Sequence, residues 1–209
     1  MLTGLSHKDA DIGAAAARAL EDGAPLADLL DGLSSKDETY RYNCFKVLML
    51  LSREHGELLY PMWDRLAEQL GSDNTYRRIS ALQLIANLTA VDAEHRFERL
   101  FDRYFDLLDD RSVIPAAQLA GASGRIVRAR PELESRITAK LLAIDGTHHH
   151  PDRRDLIKGY AIESFDEYYQ QAEDKKSILD FVRRQLNSSS PKTRKLAAEF
   201  LRKREQMPD

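Results

Sequence analysis

Apolar side chains recur every three or four positions along most of this chain, as they do on the buried face of an α-helix. Glycine, proline and short polar segments separate these stretches. Two of the clearest stripes are Phe97, Leu100, Phe101, Tyr104, Leu107 and Leu108, and then Leu133, Ile137 and Leu141. A helix of about 15 residues cannot bury such a stripe alone, so neighbouring helices must cover it.

The pattern predicts helices that follow one another in pairs. Four pairs cover residues 38–53 with 57–70, 74–89 with 93–108, 112–129 with 131–144, and 151–170 with 174–186. A shorter pair at 8–21 and 25–33 precedes them, and a single helix at 191–204 follows. Composition agrees, because leucine occurs 29 times and valine only five times. Leucine favours helices whereas β-branched residues favour strands, so we predict an all-α protein.

A weak internal repeat accompanies the helix pairs. It consists of a polar or turn residue, an arginine four positions later and a small or apolar residue eight positions later. The matching triplets are Asp37, Arg41 and Phe45; Asp73, Arg77 and Ala81; Ser190, Arg194 and Ala198; and, more weakly, His150, Arg154 and Lys158. In the segment that starts at Asp110, Ile114 replaces the arginine. The five starts are 36, 37, 40 and 40 residues apart, a period typical of stacked helix pairs.

The motif Asp73-x-x-Tyr-Arg-x-x-x-Ala81-Leu82, followed by Leu84 and echoed at 190–201 and 37–51, resembles the HEAT/armadillo-like helical repeats over residues 34–205. The resemblance implies a right-handed α-solenoid of about five helix pairs. It would be one domain, 1–209, with capping helices at 1–33, repeats at 34–187 and a capping helix and tail at 188–209. It also implies that the aspartate caps the first helix of a pair. The arginines that would tie neighbouring repeats together are Arg41, Arg77, Arg154 and Arg194. The alternative is a non-repetitive helical bundle.

Charge indicates where a partner would bind. Lysine and arginine total 31 against 34 acidic residues, and a net charge of −3 argues against a surface built for nucleic acid. Residues 181–209 nevertheless carry eight basic residues against three acidic ones. A second basic stripe would form if second helices line the concave face, as they do in the resembled family. The candidate binding residues are Arg99, Arg103, Arg136 and Lys140 in the stripe, and Arg183, Arg184, Lys195 and Lys203 near the C-terminus. The alternative is ordinary solubilising charge.

No catalytic motif stands out in the sequence. A phosphate-binding loop and a Gly-x-Ser-x-Gly elbow are both missing. We expect the small residues of Gly121-Ala-Ser-Gly124 to let two helices approach closely rather than to present Ser123 as a nucleophile. Cys44 and Trp63 fall at core spacing, so we expect both to be buried. The expectation is a non-enzymatic protein with no cofactor.

Three consecutive histidines, His148, His149 and His150, precede Pro151 and Asp152. Imidazole and carboxylate groups bind transition metals, but adjacent residues of one loop rarely hold one coordination geometry. We therefore expect a dispensable surface loop and no metal site, although the sequence leaves metal binding by this tract open.

Location and function are expectations of a more general kind. No apolar run is long enough to cross a membrane, and the first four residues lack the pattern of a secretory signal, so we expect a cytoplasmic protein. The expected function is a scaffold that binds another protein, with an acidic surface, through its concave face or its basic C-terminal surface. The alternatives are a HEAT-like DNA-binding or DNA-alkylation-repair enzyme, a lyase-like HEAT protein that handles bilins, and a regulatory subunit. The net charge of −3 argues against nucleic acid as the partner.

Overall fold

The computed structural model of the protein describes residues 4–22 and 25–205. Within these ranges every regular element is a helix and none is a strand, so the all-α prediction is confirmed. Residues 1–3, 23–24 and 206–209 lie outside the described part. Most of the first four residues, the turn between the first two predicted helices and the end of the predicted tail therefore fall outside it.

Twelve α-helices are described: α1 (Ile12–Asp22), α2 (Pro25–Gly32), α3 (Glu38–Glu54), α4 (Gly56–Leu59), α5 (Trp63–Gln69), α6 (Thr75–Leu88), α7 (Arg96–Phe105), α8 (Val113–Ala129), α9 (Glu134–Leu142), α10 (Pro151–Tyr168), α11 (Lys175–Arg184) and α12 (Pro191–Glu205). Short 3₁₀ turns extend several of them: Tyr60–Met62, Thr89–Val91, Asp106–Asp109, Pro131–Leu133, Ile144–Gly146, Tyr169–Gln171 and Gln185–Asn187. Among these helices, none has both the length and the apolar content needed to cross a membrane.

Several predicted boundaries differ from the structure, mostly where a 3₁₀ turn replaces the end of a predicted helix. The first helix begins at Ile12 rather than at residue 8. The helix predicted at 57–70 is divided into α4 and α5 by a 3₁₀ turn that contains Pro61, whose ring and missing N–H do not fit a helix interior. The helix predicted from residue 93 begins at Arg96, because His95 has a positive φ of 54°. Such a conformation cannot continue a right-handed helix.

Of the aspartates expected to cap the first helix of a pair, Asp37 does so, whereas Asp73 and Asp110 do not; the N-cap of α8 is Ser112, whose side chain makes no capping hydrogen bond. The Asp37 side chain accepts a hydrogen bond from the Tyr40 amide at 3.0 Å, as the resemblance implies. In the next pair Asn74, not Asp73, is the capping residue, because its side chain accepts from the Tyr76 amide at 2.9 Å. The repeat in the structure is therefore displaced by one residue from the repeat in the sequence at this point.

The same shift changes which arginine holds the turn before its helix. Arg41 donates to the Ser35 carbonyl at 2.7 Å, and Arg194 donates to the Ser188 carbonyl at 2.6 Å. The equivalent residue of the second pair is Arg78, which donates to the Ser72 carbonyl at 2.7 Å. Each bond reaches back six residues. At this position the second pair has Arg78, one residue after the Arg77 that the sequence repeat aligns with Arg41 and Arg194.

The other two arginines of the sequence repeat, Arg77 and Arg154, differ from Arg41 and Arg194 in their contacts. The Nε of Arg77 is buried with no hydrogen-bond partner among the described residues. Arg154 donates to the Asp145 carbonyl, nine residues earlier. The guanidinium of Arg41 lies 4.7 Å from the centre of the Tyr76 ring, so this side chain joins α3 to α6, the first helix of the next pair.

The chain divides into two compact units, Met1–Arg96 and Phe97–Asp209. In the first unit α3 packs against α1, α2, α4 and α6, and α5 packs against α6. Its fully buried side chains are mainly aliphatic: Leu29, Val47, Leu48, Leu59, Leu84, Ile85 and Leu88. Cys44 and Trp63 also lie in this core, as predicted.

In the second unit α10 lies between α8 and α12, while α9 packs against α8 and α11. Its core is rich in aromatic rings, with Phe97, Phe101, Tyr104, Phe105, Phe165 and Phe181 nearly or completely buried. Edge-to-face contacts such as Phe165 with Phe181, at 5.6 Å between ring centres, add to the apolar packing.

Small residues let α8 and α10 approach closely, which confirms the prediction for residues 121–124. The amide of Gly124 donates to the Ser164 hydroxyl at 3.0 Å, and that hydroxyl donates to the Ala120 carbonyl at 2.5 Å. A Cβ at residue 124 would lie only 3.0 Å from the Ser164 carbonyl oxygen. Ser123 is fully buried and donates to the Leu119 carbonyl at 3.0 Å, so its hydroxyl is not presented to solvent.

Candidate interaction surface

The surface that concerns function lies on α7 and α9 of the second unit. Both helices are strongly amphipathic, so their apolar residues face the core and their charged residues face outward. On α7 the buried positions are Phe97, Leu100, Phe101, Tyr104 and Phe105, and the exposed ones are Arg99, Asp102, Arg103 and Asp106. On α9, Arg136 is exposed and Lys140 is partly exposed, one turn apart.

Two contacts bring the basic residues of α9 next to α7. The guanidinium of Arg136 lies 3.9 Å from the centre of the Phe101 ring, and the ammonium of Lys140 lies 3.5 Å from an Asp102 carboxylate oxygen. Arg99 and Arg103 flank these two contact residues on α7. The four residues of the predicted stripe therefore belong to neighbouring stretches of two adjacent helices. We call Arg99, Arg103, Arg136 and Lys140 the basic stripe.

The second helix of the following pair, α11, packs against α9 on the side opposite α7. Glu173, just before α11, accepts a hydrogen bond from the Ser135 hydroxyl at 2.6 Å, and its amide donates to the Glu134 carboxylate at 3.1 Å. Arg183 and Arg184 stand at the far end of α11 and are exposed. Arg183 contacts Asp180 at 3.1 Å, and the Arg184 guanidinium lies 6.0 Å from the Phe181 ring centre.

The other two C-terminal candidates stand on a different helix, α12, and both are ion-paired. Lys203 contacts Asp166 of α10 at 2.5 Å, and Lys195 lies 3.8 Å from Glu199. Burial raises the pKa of the Asp166 carboxyl, but hydrogen bonds from Lys203 and Arg204 outweigh it, so the pKa is lowered overall.

Acidic residues of α10 therefore offset much of the positive charge on α12. Besides Asp166, Glu163 contacts Lys192 of α12 at 3.0 Å. These acidic partners could not be recognised from the sequence, because they precede their cations by 29 and 37 residues. Only the packing of α12 on α10 brings them together.

The residues considered for chemistry in the first unit are buried. Trp63 is 2% exposed, so its ring is not available to stack on a nucleobase. Cys44 is completely buried, and burial raises the pKa of its thiol, which leaves it protonated and unreactive at neutral pH.

The histidine tract differs from the expected surface loop. His148 and His150 are exposed, but His149 is 7% exposed. Burial lowers the pKa of the His149 imidazole, which also makes a hydrogen bond to the Leu108 carbonyl. The His148 amide donates to an Asp109 carboxylate oxygen at 2.7 Å, and this bond is the main reason why the pKa of Asp109 is lowered.

Comparison with known proteins adds no assignment, because the chain matches no protein-family model and no curated protein.

Proposed function

We propose that the protein is a non-enzymatic scaffold, a right-handed α-solenoid of about five HEAT-like helix pairs, that binds another protein. The repeated helix pairs and the period of 36 to 40 residues support this architecture. In the second unit, the first helices α8, α10 and α12 pack in one row, and the second helices α9 and α11 are also neighbours. Such rows are typical of stacked repeats, in which one set of helices lines the binding surface.

The observation that carries the binding proposal is the position of Arg136 and Lys140 beside Phe101 and Asp102. Arg99, Arg103 and Arg136 are exposed and Lys140 is partly exposed, so two adjacent helices contribute positive charge to the stripe. Arg136 is already ordered by its stacking on Phe101, so less side-chain entropy is lost when it binds a carboxylate. The stripe therefore suits an acidic segment or acidic face of a protein.

A protein partner fits this surface better than nucleic acid does. The stripe contains four basic residues, and two acidic ones, Asp102 and Asp106, are exposed on α7 beside them. The only tryptophan of the chain is in the core. DNA-repair proteins of the resembled architecture would need a longer basic groove with aromatic and acidic residues grouped in it, because binding of the nucleic-acid backbone depends on many phosphate contacts.

Charge reversal tests the proposal. A triple variant, Arg99→Glu, Arg103→Glu and Arg136→Glu, would be compared with the native protein in capture from native cell extract and identification by mass spectrometry. The matched control is Arg18→Glu, Lys36→Glu and Arg53→Glu, which changes the net charge equally through exposed residues of the first unit.

The decisive measurement uses the captured partner after purification. At low ionic strength we expect the triple variant to associate at least about tenfold more slowly than the native protein, and the control to stay within about twofold. The difference should shrink at physiological salt, where charges beyond about 8 Å are screened. Equal association of the triple variant, or capture of a nucleic acid that nuclease removes, would refute the proposal.

A second variant tests how far the surface extends. Arg183→Glu with Arg184→Glu should slow association further if the partner also covers α11. Lys195 and Lys203, by contrast, already have acidic partners on α12 and α10. We therefore expect their reversal to reduce stability more than binding, which thermal melts and association rates separate.

A further inference from the structure

Three side chains of the types that bind metal ions lie close together in the second unit. Asp109 ends the 3₁₀ turn after α7, whereas His148 and His149 lie in the loop before α10. One potential ligand atom from each residue lies within 4.8 Å of the other two. Packing of the second unit thus brings together groups that are 39 residues apart in sequence.

His149 is arranged as a metal-binding imidazole is arranged in proteins. Its side chain is 7% exposed, and its Nε2 is buried with no hydrogen-bond partner among the described residues. The ring hydrogen-bonds to the Leu108 carbonyl, and with Nε2 unpartnered this bond must come from Nδ1. A ring nitrogen that donates a hydrogen bond to a carbonyl carries the proton, so the other ring nitrogen keeps its lone pair. Metal-binding imidazoles in proteins are usually oriented in this way.

The unpartnered Nε2 also calls for an explanation on energetic grounds. A buried polar atom without a partner lowers the stability of the folded state, so such atoms are rare in folded proteins. A cation would satisfy it, because a neutral imidazole offers that nitrogen as a lone-pair donor.

Asp109 and His148 complete the group. The His148 Nδ1 lies 2.6 Å from the Asp109 Oδ1, and the His148 amide donates to the same oxygen at 2.7 Å. The amide bond holds the carboxylate in place whether or not an ion is bound. Both side chains are about half exposed, which leaves a path from solvent.

We propose that Asp109, His148 and His149 bind one divalent transition-metal ion, with Zn²⁺ as the ion that fits best. Two imidazole nitrogens and one carboxylate oxygen suit Zn²⁺, which accepts three protein ligands and a water molecule. The ion joins the end of α7 to the start of α10 across the intervening pair, α8 and α9. This site is independent of the proposed binding function of the basic stripe.

The test is binding of Zn²⁺ and of Co²⁺ to protein that carries no affinity tag, by calorimetry and by the visible absorption of Co²⁺. Asp109→Asn and His149→Gln each remove a ligand, and the control His150→Gln removes the adjacent exposed histidine that lies outside the group. We expect the native protein and the control to bind one equivalent. The two ligand variants should bind at least about tenfold more weakly.

A thermal melt gives a second readout. Zn²⁺ should raise the melting temperature of the native protein and of His150→Gln, because an ion that binds only the folded state stabilises it, and should raise that of Asp109→Asn clearly less. Asp109 is exposed, so this variant tests the site even if His149→Gln fails to fold. Equal affinity of Asp109→Asn and the native protein, or no binding by the native protein, would overturn the proposal.

Discussion

Single arginines hold the turns that join one helix pair to the next. Arg41, Arg78 and Arg194 each reach back six residues to a carbonyl, and Arg78 and Arg194 also bond the carbonyl after it. Guanidinium suits this task because its several N–H groups point in different directions in one plane. The turns before α3, α6 and α12 are therefore held in the same way by their own helices.

The first prediction concerns the buried member of this set. Arg78 is 3% exposed and bonds to Ser72, Asp73 and Thr75, so Arg78→Ala should lower the free energy of unfolding by about 1–3 kcal/mol. Arg77→Ala should cost less, because the Arg77 Nε has no partner to lose among the described residues. Urea titrations of both variants compare the two residues, and a larger effect at Arg77 would contradict the structure.

The sequence could identify the repeat but not the arginine that acts in it. Two arginines follow Tyr76 directly, and alignment to Asp73 selects Arg77. The helix instead begins after Asn74, which shifts the inward-facing position to Arg78. A one-residue shift rotates a helical position by about 100°, so a small error in the cap changes which side chain is buried.

At the scale of elements, α10 depends on close contact with both of its neighbours. It meets α8 at Gly124 and α12 at Gly159, where an added Cβ would lie 2.5 Å from the Thr193 hydroxyl oxygen. Both positions require glycine for space and not for an unusual backbone angle. Packing of this kind is sensitive to a single methyl group.

The second prediction follows for Gly124. Gly124→Ala would place its Cβ against the Ser164 carbonyl and the Glu167 side chain, and we expect a loss of about 1–3 kcal/mol in the free energy of unfolding. The matched control is Gly146→Ala, whose Cβ would meet nothing within 4 Å. Thermal and urea melts of the pair should separate, and equal stability of the two variants would show that α8 and α10 can move apart freely.

The third prediction concerns pH and the docking of α12. The pKa of Asp166 is lowered in the folded protein, so the pair with Lys203 and Arg204 contributes stability above the unfolded pKa of about 3.9. That contribution is lost as the pH falls through the lower, folded pKa. Asp166→Asn should cost about 1 kcal/mol at pH 7 and show a shallower loss of stability below about pH 4. Urea titrations over this range measure it, and parallel pH profiles would refute it.

Element positions were predictable from sequence because the 3.6-residue pattern is strong, whereas contacts between elements were not. Pro61 signals the break between α4 and α5 by its chemistry. Asp109 carries no such signal, since it is one of 34 acidic residues and reaches His148 only through packing of the intervening helices. Glu163 and Asp166, which pair with basic residues of α12, could not be predicted from the sequence either, because packing alone brings them to their partners.

At the scale of the whole molecule, the two compact units have different cores and different charge. The first unit holds 10 basic and 15 acidic residues, and the second holds 21 and 19. The first core is mainly aliphatic and the second largely aromatic. Each unit therefore has its own source of stability, and the excess of basic residues in the second agrees with the proposed binding of an acidic partner there.

The fourth prediction uses the single tryptophan as a probe of one unit. Phe165 is fully buried in the second unit, so Phe165→Ala should lower the stability of that unit by about 3–5 kcal/mol. Trp63 fluorescence reports on the first unit, and far-ultraviolet circular dichroism reports on both. In the variant we expect the dichroism midpoint in urea to fall below the fluorescence midpoint. Coincident midpoints would mean that the two units unfold as one.

The contact between Gly32 and Cys44 has a consequence for how the first unit meets oxidants. A Cβ at residue 32 would lie 2.4 Å from the Cys44 sulfur, so the glycine backbone of α2 covers the thiol directly. Because Cys44 is completely buried, an oxidant or an alkylating reagent reaches the sulfur only when the packing around α3 opens. The rate at which Cys44 is labelled therefore measures how often this packing opens. A chain whose Cys44 is oxidised must have opened there at least once.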